Sequence, residues 1–310
     1  MEKKYVHIVE YPERGPMWSL VNGLELYNNH SVLETKNKYI DLIGYEKNTI
    51  FVFHTSGKNF PMISALMGFL TKGLKCVVFI HTLPDYIIEK GFEDFLHYIK
   101  EVTNRFSCII MVPSSAAKHM FGEYGISTEV VNLGIVPIRM SNQIDYARLE
   151  KYTNRIITVS TKNTLKYKKA KGIDLFYELM KLSGKNEEAL ILGNESNEEI
   201  ENLKLTHEEF LYVLSKAKAY VQLSRSESYN ISAIEAKQLK VPVLVSDSTG
   251  HKDSVRDSFF RVKDITEANE KLGKILEMSS DVKEKIESNY NSSIDYESIY
   301  SFKNRIEQIV

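Results

Sequence analysis

Short runs rich in Val, Ile and Phe alternate along the chain with stretches whose apolar residues recur every three or four positions. Runs over 5–9, 49–53, 75–80, 108–112 and 128–131 read as strands. Helices are expected between them, and strand and helix in alternation imply a parallel sheet covered on both faces. The alternation therefore restricts the first half to an α/β layer architecture. Its clearest helix is expected over 86–102, where Ile88, Phe92, Phe95, Ile99 and Val102 form one apolar face.

From 133 to 154 the periodicity weakens and Pro137, Ser141, Asn142 and Asn154 appear, which suits a connection between domains. The pattern then restarts, with strands expected over 156–159, 189–192, 219–223 and 241–245 and helices over 173–182, 207–216 and 231–239. The 310 residues suffice for two domains of about 150 each. The expected organisation is a first domain over 1–136, a connection over 137–154, a second domain over 155–293 and a C-terminal helix over 294–310. That helix, with Ile299, Phe302, Ile306 and Ile309 as packing residues, has the first domain as one place to pack back on.

Hydrophobic residues make up 43% and charged residues 26%, the balance of an ordinary globular protein. Forty Lys and Arg face 41 Asp and Glu, and residues 1–140 hold 14 of each sign. No bulk field therefore draws the chain to nucleic acid or anionic lipid. Cys76 and Cys108 each lie inside an apolar run, which favours buried reduced thiols and a reducing compartment. The N-terminus enters a strand-like run without a signal-peptide pattern, and no apolar segment approaches ~18 residues. A cytoplasmic protein without a membrane span is expected. The eight histidines are scattered with no two at ligand spacing, so no metal site is assigned.

The most informative segment is Leu223-Ser224-Arg225-Ser226-Glu227-Ser228-Tyr229-Asn230-Ile231-Ser232-Ala233-Ile234-Glu235-Ala236, where a strand ends, a polar turn follows and a helix begins. Free amides at such a helix start suit a phosphate, and open α/β sheets bind ligands at the carboxyl ends of their strands. Together with Lys240-Val241-Pro242-Val243-Leu244-Val245-Ser246 and Thr249-Gly250, it resembles the large retaining glycosyltransferase family 4, the group 1 glycosyl transferases. That family's signature is two glutamates separated by seven residues, the spacing of Glu227 and Glu235.

The resemblance covers most of the second domain and, more weakly, the first. It implies the GT-B architecture: two Rossmann-like domains facing each other across a cleft, with the donor on the second and the acceptor mainly on the first. It implies that Glu227 contacts sugar hydroxyls near the reacting carbon and that Glu235 binds the nucleotide ribose. Ser228, Tyr229 and Asn230 stand where the family commonly has Gly-Phe-Gly, so Ser228 and Asn230 are expected to contribute side chains to donor binding, with Tyr229 and Ile231 also at the donor. Lys171-Gly172 matches the family's Lys-Gly element, whereas Ser160-Thr161 replaces its Gly-Arg, and Lys162 is the substitute cation for the donor diphosphate.

In the first domain His54 and His81 each close an apolar strand. His81 is the better match to a family histidine that points towards donor sugar and acceptor, and a structural hydrogen-bonding role is its alternative. Gly15, in Glu13-Arg14-Gly15-Pro16, is what remains of a glycine-rich phosphate loop, or else simply a Gly-Pro turn. Val131-Asn132-Leu133-Gly134-Ile135 resembles the segment that ends the first domain in the family, and Gly193 and Asn194 occupy the strand end where the nucleotide base lies. Only a short stretch separates Gly193 from the helix near His207, so a trimmed second domain is expected.

The implied activity is retaining transfer of a sugar from a UDP- or GDP-sugar to a glycan, lipid-linked or protein acceptor, without metal or other cofactor. A homo-oligomer and peripheral contact at the cytoplasmic face of a membrane are compatible with it. Two alternatives remain: a nucleotide-sugar epimerase on the same fold, and a non-catalytic partner subunit of a glycosyltransferase complex.

Overall fold

The computed structural model describes residues 3–9, 20, 23–24, 26–34, 48–55, 60–89, 91–138, 146–160, 169–193, 200–248 and 250–310. The chain forms two compact units, Met1–Val136 with Ser298–Val310, and Pro137–Glu297.

The first unit holds a six-stranded sheet of β1 (Lys4–Val9), β2 (His30–Glu34), β3 (Thr49–Thr55), β4 (Lys75–Ile80), β5 (Ile109–Val112) and β6 (Glu129–Val130). Its order is β2-β1-β3-β4-β5-β6 and all pairings are parallel. All seven residues of β3 are buried, as expected of a strand covered on both faces. The covering helices are α1 (Phe60–Thr71), α2 (Pro84–Glu89), α3 (Glu93–Arg105) and α4 (Ser115–Glu123). The helix expected over 86–102 is therefore two. Gly91, at φ 72°, ends the first of them, its amide bonding Ile88 O while the Phe92 amide bonds Ile87 O. The second starts with Glu93 and Asp94, ends with Arg105, and buries Phe95, Leu96, Ile99 and Val102, so charge and apolar face agree on its bounds.

The second unit holds β7 (Ile156–Ser160), β8 (Ala189–Gly193), β9 (Asn202–Leu203), β10 (Ala219–Gln222), β11 (Val243–Ser246) and β12 (Arg261–Val262). This sheet runs β12-β11-β10-β7-β8-β9, again parallel throughout. Its main helices are α5 (Ile173–Ser183), α6 (His207–Ser215) and α7 (Ile231–Gln238). Later come the short α8 (His251–Ser254) and then α9 (Ile265–Glu277) and α10 (Ser280–Tyr296). Helix α6 opens with a capping box in which Thr206 and Glu209 satisfy each other's backbone amides. The stretch between Gly193 and His207 keeps a short strand, β9, whereas residues 194–199 lie outside the described ones.

Within 137–154, Ala147–Tyr152 forms a 3-10 turn with Leu149 buried, held to α6 by the Arg148–Glu209 ion pair and by stacking of Tyr146 on Tyr212 at 4.1 Å. The last helix, α11 (Ile299–Ile309), belongs to the first unit, where Phe302 lies 5.7 Å from the Phe79 ring. Among the described residues no helix is long and apolar enough to cross a membrane.

Candidate functional site

In the second sheet the strand order reverses between β7 and β10, so the connections leaving these two neighbours run to opposite sides. Such a switch point opens a crevice outside the carboxyl ends of the strands. Two segments meet there, 169–172 before α5 and 223–230 before α7. Gly172 makes the approach possible. At φ 66° it has a left-handed backbone, and a Cβ on it would stand 1.8 Å from the Leu223 carbonyl oxygen. Gln222 Nε2 donates to Lys171 O at 2.6 Å, and the Arg225 amide donates to Ala170 O at 2.8 Å. The Arg225 guanidinium closes the arrangement with a bidentate fork on Asp174, both bonds 2.7 Å.

These backbone ties bring Lys171 Nζ to 2.5 Å from Glu227 Oε2. The Glu227 side chain is only 7% exposed. Burial works to raise its pKa, but the Lys171 ammonium outweighs burial and holds the carboxyl below its ordinary range. From the other side the Gly250 amide donates to Glu227 O at 2.9 Å, and a Cβ at Gly250 would lie 2.4 Å from Ser228 O. Two close glycine approaches thus fix the turn that carries Glu227, without glycine inside the turn itself.

The remaining turn residues divide by role. Asn230 is the N-cap of α7, its Oδ1 accepting from the Ala233 amide at 3.0 Å while its Nδ2 donates to His251 Nε2 at 2.9 Å. Both polar atoms of its side chain thus bond within the protein. Tyr229 and Ile231 are buried, and the Tyr229 hydroxyl is without a hydrogen-bond partner among the described residues. Ser228 is half-buried, with its amide on Glu227 Oε1 at 3.2 Å. Burial lowers the pKa of His251 to about 4, so the imidazole under the turn is neutral.

Two turns into the helix, Glu235 is buried and its Oε1 lies 2.7 Å from His207 Nε2, at the start of α6. His207 escapes sequence reasoning because only the fold brings residue 207 beside residue 235. Gly193 ends β8, paired with Ser160 of β7. Ser160 and Ser224, on the neighbouring strand ends of the switch point, bury hydroxyls without partners among the described residues. Lys162, Asn194 and Gly15 lie outside the described residues.

His81 follows β4 in the first unit. Its amide donates to Thr55 O at 2.9 Å, and its Nε2 is 2.9 Å from His54 Nδ1. Burial drives its pKa down to about 3, leaving a neutral ring. Sequence reasoning missed His7 and His30, which continue the contact beyond His54. It also missed Lys237, whose buried Nζ bonds both oxygens of buried Glu297, at 2.9 and 2.7 Å, and Ser254 O at 2.6 Å.

Residues 145–292 match the family described as "Glycosyl transferases group 1". A putative glycosyltransferase 41 of Sulfolobus islandicus filamentous virus (isolate Iceland/Hveragerdi) is 28% identical over 90 residues, 29% of this chain and 27% of the viral protein. The matched stretch thus spans about a quarter of that relative's length. Among solved structures, Anabaena Alr3699/HepE in complex with UDP and glucose superposes with a TM-score of 0.73 at 11% identity, covering 99% of both chains. The α,α-trehalose 6-phosphate synthase of Burkholderia multivorans gives 0.68 at 8% identity, over 99% of this chain and 98% of that one. At such identities the likeness shows the fold, and that fold is GT-B. The segment that carries Lys171, Glu227 and Glu235 therefore lies within the stretch that matches the glycosyl transferases group 1 family, in a chain of GT-B fold.

Proposed function

We propose that the protein is a retaining family 4 glycosyltransferase that moves a sugar from a nucleoside-diphosphate donor to a glycan, lipid-linked or protein acceptor. The observation that carries this reading is the convergence of Lys171 and Glu227 at the switch point of the matched domain, 2.5 Å apart. Each residue has a role in it. Lys171, joined by Lys162, compensates the diphosphate as it leaves, aided by amides of the first turn of α7 that Asn230 does not use. The unpartnered hydroxyls of Ser160 and Ser224 support a polar ligand there, since buried polar groups otherwise find partners.

Glu227, kept ionised, accepts hydrogen bonds from sugar hydroxyls, and Glu235 accepts from the ribose while His207 orients it. In this reading Gly193 and Asn194 are assigned to the nucleotide base, Gly15 to the donor phosphates and His81 to a ligand contact. The leaving phosphate assists deprotonation of the acceptor in a front-side displacement. The Anabaena neighbour is a complex with UDP and glucose, which favours a uridine over a guanosine nucleotide here. With lysines for charge compensation no metal is assigned, and transfer is expected to survive EDTA. We place the protein in the cytoplasm, in keeping with two buried free cysteines, with peripheral membrane contact where the acceptor is lipid-linked.

Calorimetric titration with UDP, GDP and their glucose and mannose conjugates tests the reading. A uridine nucleotide is expected to bind, and Lys171→Ala to weaken it at least tenfold. Absence of binding by every member of the panel would sink it. Epimerised donor in an acceptor-free incubation would replace transfer by epimerisation, and an inverted anomer in the product would remove the retaining mechanism.

A further inference from the structure

Four histidines of the first unit form a continuous row across three adjacent strands and the residue that follows a fourth. Beginning at α11, Glu307 Oε1 lies 3.3 Å from His30 Nε2. His30 Nδ1 is 2.9 Å from His7 Nε2, His7 Nδ1 is 2.9 Å from His54 Nε2, and His54 Nδ1 is 2.9 Å from His81 Nε2. Every ring turns Nε2 towards Glu307, and the first three turn Nδ1 towards His81. The row follows the strand order β2-β1-β3-β4, and stacking on Tyr5 at 4.7 Å and on Phe79 at 5.6 and 4.6 Å holds its rings. At the far end His81 Nδ1 is shielded from solvent and has no hydrogen-bond partner among the described residues.

The polarity of the row follows from proton counting. A neutral imidazole has one N–H and one bare nitrogen, whereas a carboxylate can only accept. Burial works against ionisation of Glu307, but Lys303 at 2.9 Å, Asn29 at 2.7 Å and His30 outweigh it and keep the carboxyl below its ordinary range. His30 must therefore place its proton on Nε2, facing Glu307, which leaves Nδ1 bare. That bare nitrogen requires a proton on His7 Nε2, and the same reasoning repeats at His54 and His81. Burial lowers the pKa of His30, despite Glu307, and drives those of His7 and His54 lower still, so no ring carries the second proton that would break the sequence.

We propose that the row is a tautomer relay through which the charge of Glu307 makes His81 Nδ1 an obligate hydrogen-bond acceptor for a sugar hydroxyl. The identity of the ligand rests on the transferase reading, whereas the proton pattern does not. Reversing the tautomers would turn His81 Nδ1 into a donor, to which the hydroxyl could present only its oxygen. Glu307, His30, His7 and His54 are positioning residues in this scheme. They act on the ligand only through His81.

The pattern is read by long-range proton–nitrogen NMR on the full chain labelled with 15N-histidine, at neutral pH and without ligand. His7, His30, His54 and His81 are all expected as Nε2–H tautomers. An Nδ1–H tautomer or an imidazolium at any of the four overturns the relay. In Glu307→Gln the amide can donate, so His81 is expected to lose its single tautomer and gain a resolved Nδ1–H population. A folded Glu307→Gln protein with His81 unchanged overturns remote control by Glu307, and His54→Gln, which cuts the row beside His81, must also disturb the His81 tautomer if the relay holds. The expected pattern in a protein that transfers no sugar would sink the transferase reading alone. Sugar transfer by a protein whose His81 carries Nδ1–H would sink the relay alone.

Discussion

The two sheets share an architecture and differ in what they bury. In each the strand order reverses once, between β1 and β3 in the first unit and between β7 and β10 in the second. At the first reversal the chain places His7 and His54, members of a row of neutral rings joined nitrogen to nitrogen. At the second it places Lys171 against Glu227, with Glu235 and His207 one helix face away. A neutral row has no charge to offer a diphosphate, but it can transmit the position of a proton. The ion pair holds the Glu227 carboxyl in its charged form and suits a charged ligand. Strand order thus selects where chemistry occurs, and the side chains at the strand ends select which chemistry it is.

This contrast can be broken by experiment. The largest effect is expected from Lys237→Met in the second unit, which strands the Glu297 carboxylate in the core and should destabilise by about 3–5 kcal/mol. Urea unfolding measures it, and a loss under about 1 kcal/mol would mean that water reaches Glu297.

Acidification should act more strongly on the first unit, which buries three neutral histidine rings against His251 in the second. The pKa values of His7, His54 and His81 are depressed by burial, so the unfolded chain binds protons below the ordinary histidine value while the native state does not. Stability is therefore fully present above that value and falls as pH drops below it, by about 1.4 kcal/mol per pH unit for each ring, or roughly 4 kcal/mol for three rings one unit down. Glu227, depressed by Lys171, works in the same direction but only in the lower carboxylate range. Hydrogen exchange at pH 7.5 and 5.5 should show opening in β1, β3 and β4 first. Earlier opening of β7 and β10 would reverse the contrast.

Glu227→Ala should lower kcat/KM for the proposed transfer by about 10²–10³-fold, comparable to loss of one preorganised site group. Unchanged turnover would remove Glu227 from the reaction. The smallest effect is expected at Asn230→Ala, which uncaps α7 and should cost about 1 kcal/mol. If it weakened nucleotide binding strongly while leaving stability intact, Asn230 would be a ligand contact after all.

Much of this is legible in the residues alone. Unbroken apolar runs identify most strands of both sheets because parallel strands hide both faces, and the helices at 173, 207 and 231 begin where the periodicity changes. Strand β2 escapes because it is short and opens with His-Ser, and α10 because its sequence, SDVKEKIESNYNSSIDY, shows little apolar stripe. At the site, Glu227, Glu235 and Lys171 are visible through motif spacing, but their partners are not. His207 meets Glu235 through packing of α6 on α7, and Lys237 meets Glu297 across 60 positions. His7 reads as one polar residue in an apolar strand until the register sets it between His30 and His54. Contacts fixed by register or by helix packing leave no periodic trace.

The buried Lys237–Glu297 pair also constrains how such a sequence can drift. Losing either member alone strands a charge, whereas exchanging both for apolar residues of similar volume is close to neutral. No path of single tolerated steps connects the two solutions easily. Close relatives should therefore divide into those that keep both charges and those that have lost both, and a relative with only one should carry its compensation near Ser254.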